Sequence, residues 1–203
     1  MKSKKYLMSF TTGGLYYVES LLVMELYNEL KDWKKVNKQA LSSNILQTRT
    51  ESTSKRSLKE IISRLETLTP DQLDLLTNGS VDEQKYILWL SVCKRYEFIK
   101  EFAVEVIRER YLTLKHDLPV EEFESFFSQK EQWNEDLEKI ADSSRYKMRT
   151  VLFKILREAE VIDSKNLFIH IRLTNALIKT ISDDQVEYLS IFPISDIDIQ
   201  RVL

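Results

Sequence analysis

Tyr86-Ile87-Leu88-Trp89-Leu90-Ser91-Val92-Cys93 is the longest densely apolar stretch of the chain, interrupted only by Ser91. Just ahead of it, Ser80-Val81-Asp82-Glu83 has the spacing of a capping box. There the serine hydroxyl accepts from a backbone N–H one turn on, and the glutamate reaches back to the serine. A helix begun at this box is apolar on nearly every side, so no face of it suits water and it must lie inside other elements. It is also far short of the ~20 residues that a membrane span requires. The stretch therefore predicts a central buried helix with other helices packed around it.

Composition agrees. Three Gly and three Pro stand in 203 residues, where average usage of roughly 12% gives about 24. Sheet folds need many turns, and turns are built from Gly, Pro and Asn, so the expected class is all-α. With 43% apolar and 31% charged residues the chain is globular. One cysteine excludes an internal disulfide, and with two histidines it leaves no His/Cys zinc cluster. No metal and no cofactor are expected.

Outward toward the N-terminus, residues 15–31 carry Leu15, Val18, Leu22, Leu26 and Leu30 on one helical face. A short helix surrounds Trp33, Val36, Ala40 and Leu41, and another carries Leu58, Ile61, Ile62, Leu65 and Leu68. Thr69-Pro70-Asp71-Gln72 is a second capping box, with Pro at the first helical position. On the other side, Phe98, Ile99, Phe102, Ala103, Val106 and Ile107 continue helically to about Leu114 after a break near Lys94-Arg95. His116-Asp117-Leu118-Pro119 marks a boundary, so two packed helical bundles are expected, residues 1–116 and 117–203. In the second, short helices near residues 120–127 and 129–140 precede a long one over 145–159, capped by Asp142-Ser143-Ser144. Val161-Ile162, a turn at residues 163–166 and residues 167–171 read as a small β-hairpin, and a last helix begins at Thr174. This is the order of a winged helix-turn-helix, with the hairpin as its wing.

Net charge is only −2, but its distribution is uneven. Residues 117–142 hold two Lys against nine acids, whereas residues 143–157 hold Arg145, Lys147, Arg149, Lys154 and Arg157 with no acid. In a winged helix such a helix enters the major groove, where cations neutralise phosphates and arginine can clamp guanine. The competing reading is that the five cations are solvated and pair with the acidic helices beside them. A second basic cluster comprises Arg49, Lys55 and Arg56, followed by Lys59 and Arg64, within a Ser/Thr-rich run from Thr48 to Ser57. Its hydroxyls and helix-start N–H groups suit a phosphate, against an ordinary capped helix start.

Catalytic motifs are missing. Gly13, Gly14 and Gly79 are the only glycines, so no Walker loop or dinucleotide fingerprint is present. Thr11-Thr12-Gly13-Gly14 suits an anion or, more simply, a flexible helix entry. His116 reads as a helix-end charge, His170 as a surface residue of the wing and Cys93 as a small buried hydrophobe. Glu121, Glu122 and Glu124 read as a solvated helix face. A non-enzyme is expected.

Met8-Ser9-Phe10-Thr11-Thr12-Gly13-Gly14-Leu15 and Asn44-Ile45-Leu46-Gln47-Thr48-Arg49-Thr50 resemble signatures of the BrxA family. So do Leu88-Trp89-Leu90 through Cys93-Lys94-Arg95-Tyr96 into Phe98-Ile99-Lys100-Glu101-Phe102, the most specific part, and Ile191-Phe192-Pro193-Ile194 near the end. The likeness spans nearly the whole chain. It implies an accessory protein of a BREX bacteriophage-exclusion system, helical and related in fold to the antitermination factor NusB. It also implies a methyltransferase, an ATPase and a phosphatase-like protein encoded alongside, and it carries over no catalytic residue.

Duplex DNA is thus the leading expected partner, met through Arg145, Lys147, Arg149, Lys154 and Arg157, with Arg49, Lys55 and Arg56 as a secondary backbone site. An adaptor docking other BREX proteins is the alternative. NusB-like RNA binding is a third reading, requiring exposed bases' partners such as Tyr16, Tyr17 or Tyr146. The start Met-Lys-Ser-Lys-Lys is followed by Ser9, Thr11 and Thr12, which break any signal-peptide core, so the cytoplasm and no membrane are expected.

Overall fold

Helix follows helix from Tyr17 to Gln185 in the computed structural model, which describes residues 5–195 and 197. The order is α1 (Tyr17–Leu30), α2 (Trp33–Ser42), α3 (Glu51–Leu65), α4 (Pro70–Asn78), α5 (Val81–Arg95) and α6 (Glu97–Phe102). After a π-helical segment, Ala103–Arg108, come α7 (Glu109–Leu112), α8 (Glu121–Glu131), α9 (Glu135–Glu138), α10 (Asp142–Glu158) and α11 (Asn175–Gln185), then a 3-10 turn, Val186–Ile191. No helix is long and apolar enough to cross a membrane among the described residues.

α5 is the centre. Every residue from Tyr86 to Cys93 is buried, and helices before and after it in the chain, α3, α4, α6 and α10, pack on it. Trp89 is fully enclosed, its indole N–H donating to the Ile191 carbonyl at 3.3 Å, so even this large side chain leaves no polar atom unpaired. Burial pushes the Cys93 thiol well above its usual range, which keeps it protonated and unreactive. Both capping boxes form, Thr69 with Gln72 and Ser80 with Glu83. The break between α5 and α6 falls at Tyr96, whose extended backbone (φ −120°) turns the chain. Its buried ring meets Phe10 at 5.2 Å, and its hydroxyl donates to Glu60 at 2.6 Å.

Two local expectations are corrected. α1 buries Ser20, Val23 and Met24 rather than the Val18 stripe, and Val18 is 61% exposed. Apolar residues lie nearly all round α1, so periodicity alone did not select the face. α10 starts without a side-chain cap: Ala141 is its N-cap, and Asp142, Ser143 and Ser144 lie within its first turn.

The β-hairpin wing is absent. Among the described residues there is no β-strand, only isolated antiparallel bridges pairing Asp117 with Leu167 and Ile162 with Phe168. Residues 166–168 divide their backbone bonds between two partners, and this prevents a ladder. Asp163 N–H donates to the Leu167 carbonyl at 2.9 Å, while Phe168 N–H donates to His116 and Leu118 N–H to Asn166. The Asp163 carboxylate closes the turn instead, accepting from Lys165 and Leu167 N–H, both at 2.8 Å. Among the described residues the second half of the chain is therefore helical without a winged-helix unit.

Glu83 ties the α5 start to the α11 start. Its carboxylate accepts from the Ser80 N–H (2.8 Å) and from the hydroxyl of Thr174, the N-cap of α11. The Thr174 bond first, then the Ser80 N–H, holds the Glu83 pKa below the ordinary 4.5. A depressed carboxylate stabilises above its unfolded value, and this is lost as pH falls through the folded one. E83Q is accordingly expected to cost about 1 kcal/mol at pH 7. Urea midpoints of E83Q and wild type should converge below pH 4.5; an unchanged gap at pH 3 contradicts the assignment.

Candidate nucleic-acid interface

The basic helix α10 is real, but its cations differ in what they face. Arg145 Nε lies 2.6 Å from Glu124 of α8, and its terminal nitrogen donates to the Glu124 carbonyl and to Ser128 Oγ, both at 2.8 Å. Its guanidinium also sits 4.3 Å from the centre of the Phe127 ring. Arg149 donates to the other Glu124 oxygen at 2.8 Å. These two arginines fasten α10 to α8, as the pairing alternative anticipated, and they make Glu124 an ion-pair partner rather than a solvated residue. Lys147, Lys154 and Arg157 are exposed; Lys154 stands 3.6 Å from Glu158, and Arg157 donates to Asn166 at 3.0 Å.

Replacing Arg145 leaves Glu124 with one partner and empties the surface over Phe127. R145A should destabilise the protein by about 2 kcal/mol, less than a fully buried pair because both groups keep some water. R145K should recover only part, since an ammonium does not span Glu124 and Ser128 as a planar fork does. Urea unfolding checks both, and an R145A midpoint equal to wild type excludes the fastening role.

The glycine turn before α1 does hold an anion, and the anion is the chain's own. Leu15 N–H donates to Glu158 Oε2 at 2.6 Å, across 143 residues. A Cβ on Gly14 would lie 2.4 Å from that oxygen, so only glycine admits the carboxylate. Lys85 of α5 pairs with Glu160 at 2.5 Å beside it. These contacts seat the end of α10 against the first half of the chain.

The larger free positive surface lies on α2 and α3. Residues 31–64 carry nine Lys/Arg and three acids. Asp32 caps α2 by accepting from Lys34 and Lys35 N–H, at 2.8 and 3.1 Å, while their side chains stand in solvent. Donation from the Lys35 N–H, then from Lys34, holds the Asp32 carboxyl below its ordinary value. Thr50 caps α3, whose buried face of Leu58, Ile61, Ile62 and Leu65 leaves Lys55, Arg56 and Lys59 outward. Lys34 of α2 lines one groove with Lys55 and Lys59 of α3. Arg49 is exposed in the connection between the helices. Lys55 pairs with Glu51 at 2.6 Å; among the described residues Lys34, Lys35, Lys38, Arg49, Arg56 and Lys59 make no salt bridge, though Asp32 lies within the electrostatic reach of Lys34 and Lys35.

The Gly13–Tyr16 turn joins the two basic surfaces. Gly13 and Tyr16 line one cleft with Lys154 and another with Arg56 and Lys59. The two clefts share Gly13 and Tyr16, while Arg145 and Arg149 turn toward α8. Lys34, Lys35 and Lys38 were missed by the sequence reading; counting charge in a window of about thirty residues would have found them.

Other singled-out residues fall elsewhere. His116 and His170 line a common cleft with Tyr111 and Phe168, and His170 lies on no strand. Among the described residues no group of three His, Cys, Asp or Glu side chains is placed to hold a metal ion. Tyr17 donates to Gln84 at 2.6 Å and Tyr16 hydroxyl meets Ser57 at 3.3 Å, whereas Tyr146 is 60% exposed.

Comparison with known proteins gives a consistent relation. The BREX protein BrxA of Bacillus cereus (strain H3081.97) is 28% identical over 159 residues, 78% of this chain and 80% of that protein. The BREX protein BrxA of Escherichia coli O9:H4 (strain HS) is 30% identical over 152 residues, 75% of this chain and 71% of that protein. The crystal structure of an uncharacterized protein from Magnetospirillum magneticum shares the fold, with a TM-score of 0.79 at 21% identity over 94% of this chain and all of that one. The BrxA family model matches residues 4–185, and with that span matched the chain belongs to the BrxA family of BREX proteins.

Proposed function

We propose that this BREX component is a non-enzymatic DNA-binding accessory that holds the duplex by its phosphates. The supporting observation is the run of exposed cations that make no salt bridge among the described residues, on α2, α3 and their connection: Lys34, Lys35, Lys38, Arg49, Arg56 and Lys59. Cations already matched by carboxylates gain little from a phosphate, whereas unmatched ones release the counterions condensed on DNA. Lys147, Lys154 and Arg157 extend the surface beyond the Gly13–Tyr16 turn, and Lys55 joins it when it leaves Glu51. Fluorescence anisotropy of a labelled duplex across a salt series is the test. Log K should fall with log salt at about −0.9 per phosphate contacted, giving a slope steeper than about −4. No binding at low salt rejects the reading.

One observation favours the adaptor as second reading. Trp133, between acidic α8 and α9, is 81% exposed, and so large an apolar surface suits a protein partner. Co-purification of other BREX proteins after nuclease treatment, lost in W133A, supports it over DNA contact.

A further inference from the structure

Arg56 and Lys59 of α3 and Arg95 at the end of α5 converge on a cleft of about 710 Å³, whose facing wall is the Thr11-Thr12-Gly13 turn. Among the described residues none of the three makes an ion pair. Arg95 is partly buried, and its Nε–H is shut from solvent without an acceptor. A buried donor left unpaired is costly, and it commonly marks a place where an ion or water belongs. The acid of the cleft, Glu60, does not serve: one of its oxygens accepts from Arg64 Nε at 2.7 Å and from the Tyr96 hydroxyl at 2.6 Å. Three cations, with Thr11 and Thr12, therefore line one hollow whose only carboxylate is already matched.

We propose that this cleft is a phosphate-binding site. A tetrahedral oxyanion offers several acceptors at once, which suits donors arriving from two helices and a turn, and arginine is the strongest such partner. The volume exceeds that of a bare phosphate and leaves room for an attached sugar. Lys59 lines both this cleft and the α2–α3 groove, so a strand lying on that face can place one phosphate here. That source of the phosphate rests on the duplex reading; a free phosphate compound is the other source with the same chemistry.

The test uses the full chain with two probes, inorganic pyrophosphate followed by calorimetry and labelled duplex followed by anisotropy. R95Q removes the orphaned donor, and K59Q, at an exposed position, keeps the test informative if R95Q fails to fold by its melting curve. Wild type should bind pyrophosphate, and each variant should weaken it about tenfold or more, the loss of one hydrogen bond to a charged group. A parallel loss in duplex affinity assigns the phosphate to the DNA backbone. Loss for pyrophosphate alone keeps the site and assigns it to a free phosphate compound. Wild type that binds duplex but not pyrophosphate, with both variants binding duplex as wild type does, overturns the cleft and leaves the duplex reading standing. Pyrophosphate binding without any duplex binding rejects the duplex reading and keeps the cleft.

Discussion

The triple variant K34Q/K38Q/R49Q is expected to bind duplex DNA about 100-fold more weakly than wild type at 0.1 M salt. All three residues are exposed and make no salt bridge among the described residues, so their replacement should change folding stability by less than about 0.5 kcal/mol. Each phosphate they neutralise contributes close to one decade at that salt, because log K scales with about −0.9 log salt per contact. Three contacts give somewhat under three decades, reduced where a neighbouring lysine takes over. The slope against log salt should flatten by about two to three. R149Q is the contrasting variant. Its charge is already met by Glu124 at 2.8 Å, so its salt slope should match wild type. A triple variant binding like wild type, with affinity lost in R149Q instead, would move the interface back to α10.

What the sequence disclosed and what it hid divide along distance in the chain. α5 was legible because its signals are local: a capping box at Ser80 and Glu83, then eight residues with no face for water. The start of α4 at Thr69 and Pro70 was legible for the same reason. The wing was misread because residues 167–171 alternate as a strand does, while the groups that bond them come from residues 116–118 as well as 161–163. Local pattern carries no record of such a split. The basic helix was located correctly, but Glu124, which engages Arg145 and Arg149, lies 21 and 25 residues upstream on a helix that returns alongside. The same holds for the glycine turn: an anion at Gly14 was readable from the turn, its identity as Glu158 was not.

Phe98→Ala is expected to be the most destabilising single change considered, at about 4 kcal/mol. The ring is fully buried, and it meets Tyr6 and Phe10 on one side and Phe123, Phe126 and Phe127 of α8 on the other, with centroids 5.1 to 6.2 Å apart. Most of these pairs are edge-on, an arrangement worth more than the buried area alone. Removing the ring leaves a cavity that five other rings cannot fill without abandoning one another, so relaxation recovers little. Its position also decides how the chain unfolds. Phe98 precedes the boundary read at residues 116–119, and three of its ring partners follow it. Loss of the ring should weaken both sides together, lowering hydrogen-exchange protection of α5 and α10 amides by about the same three decades if both open only in global unfolding. Protection lost in α5 and retained in α10 would instead make residues 1–116 and 117–203 separate folding units. Equal loss makes the aromatic cluster the joint through which the exposed basic helices α2 and α3 and the basic helix α10 are held together.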